Sequence, residues 1–122
     1  MELRTDEAKN IAYIRLVGPL NREIILATFD AAVSDRRYRK EMSRLWDFRD
    51  ADLSSLDSST IAEMAEYSIK FPPGINDVKV AFVASRKLEF GLSREFEMYS
   101  MDAKTTVSVF YTMADAENWL SE

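Results

Sequence analysis

Short apolar runs alternate with amphipathic stretches along the chain, and the change of period between them marks its elements. Two strands open it, Leu3 to Asp6 and Ile11 to Val17, around the polar turn Glu7-Ala8-Lys9-Asn10. In the second, Ala12, Ile14 and Leu16 alternate with Tyr13 and Arg15, the period of a half-buried strand. Gly18-Pro19 ends it. Asn21 is placed to cap a helix, with Glu23 in its first turn. That helix carries Ile25, Phe29, Ala32 and Val33 on one face and stops near Asp35. A basic connector, Arg36-Arg37-Tyr38-Arg39-Lys40, leads to a short strand at Leu45-Trp46-Asp47-Phe48.

An acidic, serine-rich stretch then runs from Asp50 to Ser59. Thr60 and Glu63 have the spacing of a capping box and open a second helix, with Ile61, Met64, Ala65 and Ile69 as its apolar stripe. Phe71-Pro72-Pro73-Gly74 closes it, because proline cannot continue a helix. Val78 to Ala84 is nearly all apolar, which suits a central strand covered on both faces. A third helix is expected over Leu88 to Met101, with Leu88, Leu92, Phe96 and Tyr99 in one line. Thr106 to Tyr111 is the last strand. Thr112 and Asp115 cap a final short helix whose inner stripe is Met113, Ala116, Trp119 and Leu120.

The order ββαβαβαβα predicts an α/β fold. The opening hairpin is antiparallel, and the later strands run parallel through helical crossovers. The result is a mixed sheet of four to five strands with about four helices. No linker or repeat divides residues 1–122, so they read as a single domain.

Composition narrows the chemistry. There is no histidine and no cysteine among 122 residues. Ser–His and Cys–His nucleophiles and the usual zinc sites are therefore excluded. Carboxylates, hydroxyls, lysines and arginines remain, and no cofactor is called for. Lack of cysteine makes a cytoplasmic setting the default. A net charge of −5 argues against nucleic-acid binding, which depends on neutralising phosphates. No apolar run approaches the ~20 residues of a membrane span, and the polar N-terminus has no signal-peptide core.

Four segments carry a likeness to a known family. They are Asp35-Arg36-Arg37-Tyr38-Arg39; Leu45-Trp46-Asp47-Phe48-Arg49-Asp50-Ala51-Asp52-Leu53; Val78 to Ala84 followed by Phe90-Gly91-Leu92-Ser93-Arg94-Glu95-Phe96-Glu97; and Val107-Ser108-Val109-Phe110 with Ala114 to Leu120. In this order and spacing the chain resembles the SpoIIAA-like family, within the superfamily of STAS domains and the related lipid-binding Sec14-like fold. The resemblance implies a cytoplasmic, non-catalytic domain with a mixed sheet and helices packed mainly on one side.

In anti-sigma-factor antagonists of that superfamily, an Asp-Ser-Ser-Gly run carries the serine that a partner kinase phosphorylates. The likeness places that role on Ser58 within Asp57-Ser58-Ser59. The chain departs from the pattern at Thr60, where glycine is expected, and the stretch from Asp47 to Asp57 is about two residues longer than the pattern has. Read from the residues alone, Asp57, Ser58, Ser59 and Thr60 are competing helix caps.

Other candidates rest on residue type and spacing. Arg36, Arg37, Arg39 and Lys40, with Arg44 further on, form a possible anion site with Tyr38 packed beneath; the plainer reading is a solvated connector. Phe90, Met98 and Met101 make a second stripe on the third helix, and Tyr67 and Phe71 add to the second; with Gly91 and Arg94 they mark a ligand or dimer surface, or simply a wider buried face. Gly91 would allow a close approach of backbone or ligand, or serve as a turn residue. Asp47, Asp50, Asp52 and Asp57 have no spacing that specifies a metal.

These readings favour a non-enzymatic binding or regulatory module. Its partner would be a protein, a second copy in a homodimer, or a small ligand. The alternative is a carrier of a lipid or other apolar or anionic ligand, which needs a cavity larger than a few waters. A carboxylate- or metal-dependent enzyme would need at least two of the four aspartates in one pocket.

Overall fold

The structure is a computed structural model and describes residues 1–101 and 105–122. Its elements are β1 (Glu2–Asp6), β2 (Ile11–Pro19), α1 (Arg22–Ser34), β3 (Ser43–Asp52), α2 (Ser58–Ser68), β4 (Lys79–Val83), α3 (Lys87–Tyr99), β5 (Thr106–Phe110) and α4 (Met113–Leu120). The five strands lie in the order β1-β2-β3-β4-β5. β1 is antiparallel to β2, and every later neighbour is parallel. The mixed α/β sheet expected from the pattern is therefore present.

The sheet separates two cores. On one face Ile14, Trp46, Val80 and Phe82 meet Phe29 of α1, Ile61 of α2 and Leu92 of α3. On the other, Tyr13, Leu45 and Ala81 meet Ala116 and Leu120 of α4. Helices α1, α2 and α3 thus share one face, and α4 covers part of the other. Rings run across the larger core: Phe29 to Trp46 at 6.2 Å between centroids, Trp46 to Phe48 at 6.1 Å, Phe48 to Phe82 at 5.6 Å and Phe82 to Phe96 at 5.2 Å.

Several boundaries differ from the sequence pattern. β2 continues through Gly18-Pro19, because Gly18 takes a φ of +81° and Leu20 donates its N–H to the Asp52 carbonyl. β3 runs ten residues to Asp52 and absorbs much of the supposed acidic loop. A bulge between β2 and β3 follows Arg15. It takes Asp47 and Asp50 out of simple alternation, so both reach Arg15.

The helices also need correction. α2 begins at Ser58 with Asp57 as its cap, not at a Thr60–Glu63 box; Glu63 pairs instead with Arg22 at 2.7 Å. Ile69 lies exposed beyond its last turn. α3 is rotated from the expected line. Leu88 and Tyr99 are exposed, and Glu89, Leu92 and Ser93 face inward. The caps at Asn21 and Thr112 are as expected, accepting from Ile24 N–H and Asp115 N–H.

Candidate functional site

A partly open cavity of about 60 Å³ lies between the sheet and helices α1, α2 and α3. Its wall is mostly apolar, built from Phe29, Trp46, Phe48, Ile61, Leu92 and Phe96 among others. It has room for roughly four or five waters, well under the ~150 Å³ apolar cavity that accepts benzene.

Arg44, one residue inside β3, forms part of this wall and is 2% exposed. The sequence grouped it with the basic connector; the strand's alternation sends it into the core instead. Nη1 donates to the Tyr38 hydroxyl at 2.8 Å and to the Ile75 carbonyl at 2.7 Å. Nε is buried with no partner. The guanidinium carbon sits 5.2 Å from the Phe29 ring centre and 5.9 Å from that of Tyr38. Among the described residues no carboxylate pairs with it. Burial pushes its pKa below the usual arginine value, against the opposing pull of Tyr38, yet arginine remains charged in proteins. Ser93 also lines the cavity, and its Oγ too is buried without a partner.

The N-terminus of α2 holds the sequence's most pointed motif. Asp57 accepts from Thr60 N–H at 2.8 Å, and that bond holds its carboxyl below the usual range. Ser58 is exposed and donates to Glu95 Oε1 at 2.5 Å, joining α2 to α3. Ser59 is exposed beside it. Close by is a residue that the pattern did not single out. Glu89 accepts from Leu53 N–H at 3.0 Å and pairs with Arg86 Nε at 3.1 Å, its side chain 3% exposed. Arg86 also donates to the Ala51 carbonyl. The loop after β3 is thereby tied to the first turn of α3. The only sequence signal was an acidic residue in a first turn, which solvated helices share.

The proposed ligand or dimer surface divides into an inner and an outer set. Tyr67 lines the cavity and donates to Asp30, while Phe71 packs on Phe29 with centroids 4.7 Å apart. Phe90 stacks on Tyr111 at 3.9 Å. Arg94 lies beside Glu97, and Met98 and Met101 are exposed. Gly91 faces open space, with nothing within 4 Å of where a Cβ would stand, so no close approach explains it.

The basic connector is largely engaged locally. Arg37 binds Asp35 and donates to the Leu3 carbonyl, and Arg39 pairs with Glu7 at 3.2 Å. Arg36 is exposed, and Lys40 lies against Gly74. Tyr38 is buried under neither; it donates to the Met42 carbonyl and serves Arg44.

The four aspartates also have separate partners: Asp47 with Arg49, Asp50 with Arg15, Asp52 with Ser54 N–H and Asp57 with Thr60 N–H. Among the described residues no three acids gather at a possible metal site. A polar groove of about 490 Å³ on the α4 side of the sheet includes only Asp47 of the four.

One sheet with sequential strand order, three crossover helices on one face and a fourth across the other defines a SpoIIAA-like α/β fold. A solved structure shares it: an uncharacterized protein from the DUF3478 family with a SpoIIAA-like fold from Shewanella loihica PV-4, at TM-score 0.60 and 16% identity, covering 98% of this chain and 90% of that one. No protein-family model and no curated protein matches the chain. Among the described residues no helix is long and apolar enough to cross a membrane.

Proposed function

We propose that residues 1–122 form a single cytoplasmic binding module that acts by holding a small ligand between the sheet and α1, α2 and α3, without catalysis. The cavity carries this reading. Its ring-lined wall is apolar, and its polar edge has unfilled hydrogen-bonding capacity. At about 60 Å³ it suits a ligand of a few heavy atoms better than a whole lipid chain. The test begins with native mass spectrometry of the purified protein, followed by solvent extraction to identify any bound mass. Titration with isobutanol then gives saturating ¹H–¹⁵N shifts at Phe29, Trp46, Ile61 and Leu92. Shifts that scatter over the surface without saturating refute the cavity as a ligand site.

A second reading is supported by the Ser58–Glu95 bond. It joins two of the helices that wall the cavity. A phosphate on Ser58 would meet the Glu95 carboxylate and repel α3 from α2. A protein partner or second copy would sense the change at Met98 on the exposed side of α3 and at Met101 just beyond its end. Mass analysis after incubation with a cell extract and ATP tests it; a Ser58→Ala variant phosphorylated as fully as the wild type counts against it.

A further inference from the structure

We propose that the Arg44 end of the cavity receives the carboxylate of a small apolar organic acid. The inference rests on the cavity reading above and adds the chemical class of the ligand.

Arg44 is a buried cation whose two hydrogen bonds among the described residues both leave from Nη1 and both go to uncharged oxygens. A buried charge without a counter-charge is costly, and proteins ordinarily pair it. Here the aromatic rings of Phe29 and Tyr38 flank the guanidinium, and Nε has no acceptor. Nε and Nη2 together form the side-on edge of the guanidinium, which matches the two oxygens of a carboxylate.

Ser93 Oγ is a second buried group without a partner on the same cavity wall. A hydroxyl would supply a further donor to an acidic ligand. One cation compensates one negative charge, so a monoanion fits and a phosphate dianion leaves charge uncompensated. The rest of the wall is mostly apolar, so the remainder of the ligand is mostly apolar. The volume limits it to a short or compact skeleton.

Isobutyrate and isobutyramide make a matched pair of probes, alike in shape and differing in charge. Both are titrated into the wild-type protein at neutral pH and followed by ¹H–¹⁵N spectra, with dissociation constants of roughly millimolar order for ligands so small. The expected result is at least tenfold tighter binding of isobutyrate, with shifts at Arg44 Nε and around Trp46. The preference disappears in Arg44→Met and shrinks in Ser93→Ala. Equal binding of the two probes overturns the assignment of an acid while leaving the cavity reading standing. Binding of neither overturns both. The wild-type comparison decides the matter even where Arg44→Met fails to fold.

Discussion

Removing the Glu89 carboxylate should be among the most damaging changes available outside the apolar core. In Glu89→Ala, Leu53 N–H loses its acceptor at 3.0 Å, and Leu53 is itself buried. An orphaned buried donor costs about 1–3 kcal/mol. The lost methylene adds about 0.8 kcal/mol. Against this, the variant no longer desolvates a carboxylate, which returns part of the cost. The Arg86 pair adds little to the sum, because Arg86 is 56% exposed and solvent screens it. The net expectation is about 2 kcal/mol of destabilisation. In urea, with m of about 1–3 kcal/mol/M, the midpoint falls by about 1 M at unchanged m. Glu89→Gln keeps an acceptor for Leu53 and should lie between Ala and wild type. Hydrogen exchange gives a local readout: the Leu53 amide is protected in the wild type and exchanges far faster in the alanine variant. A Glu89→Ala protein within about 0.5 kcal/mol of wild type, with Leu53 still protected, would refute the reasoning.

Four further outcomes are expected. Burial opposes ionisation of Asp47, but hydrogen bonds from Arg49 outweigh it and set its pKa below the usual value. A lowered folded pKa gives stability that is present above the unfolded value of about 3.9 and is lost as pH falls through the folded one. Asp47→Asn should therefore be less stable than wild type near neutrality, with the gap closing below about pH 4; parallel urea curves from pH 6 to 2 would contradict this. Asp57→Ala removes the α2 cap and should cost about 1 kcal/mol by urea unfolding, with Asp57→Asn close to wild type. Ser58→Glu places a charge against Glu95 and should lose up to about 1 kcal/mol, recovered on adding Glu95→Gln; a double-mutant cycle without coupling would exclude the repulsion. Gly74→Ala should cost about 1 kcal/mol or more in thermal unfolding, because φ is +91° and the new Cβ would stand 3.0 Å from Lys40 Cβ.

Much of the fold was legible because periodicity reports burial. Ile14 and Leu16, or Ala116 and Leu120, could occupy few other arrangements. The failures have particular causes. The β3 tail reads as a loop because Arg49, Asp50 and Asp52 are charged, yet Asp50, Ala51 and Asp52 pair with Val17, Gly18 and Pro19, and Arg49 in the bulge gives its N–H to Asp47. The line Leu88–Leu92–Phe96–Tyr99 is good helical spacing, but Glu89 and Ser93 compete for the inner face. Arg44 was hidden by its neighbours: a fifth basic residue after a basic connector looks solvated, and only the strand register turns it inward. Asp57-Ser58-Ser59 was legible as a helix start, whereas the Glu95 partner across α3 lay beyond local pattern.

The topology accounts for the cavity's position. In open α/β sheets, ligands commonly sit where the strand order reverses and neighbouring crossovers part to opposite faces. Here the parallel strands follow in sequence, and α1, α2 and α3 lie on one face, so there is no such reversal. Space arises instead beneath the helices, where large rings on β3 and β4 hold the layer apart and Ser68 and Ser93 contribute little volume. Closing that gap would press apolar side chains onto the Arg44 guanidinium. Among the described residues that buried cation has no counter-charge, and an anion beside it would relieve the cost of burying it. A ligand that binds the folded state alone adds RT ln(1 + [L]/Kd) to stability. The same buried charge that weakens the free module thus gives an acidic ligand its leverage over the fold.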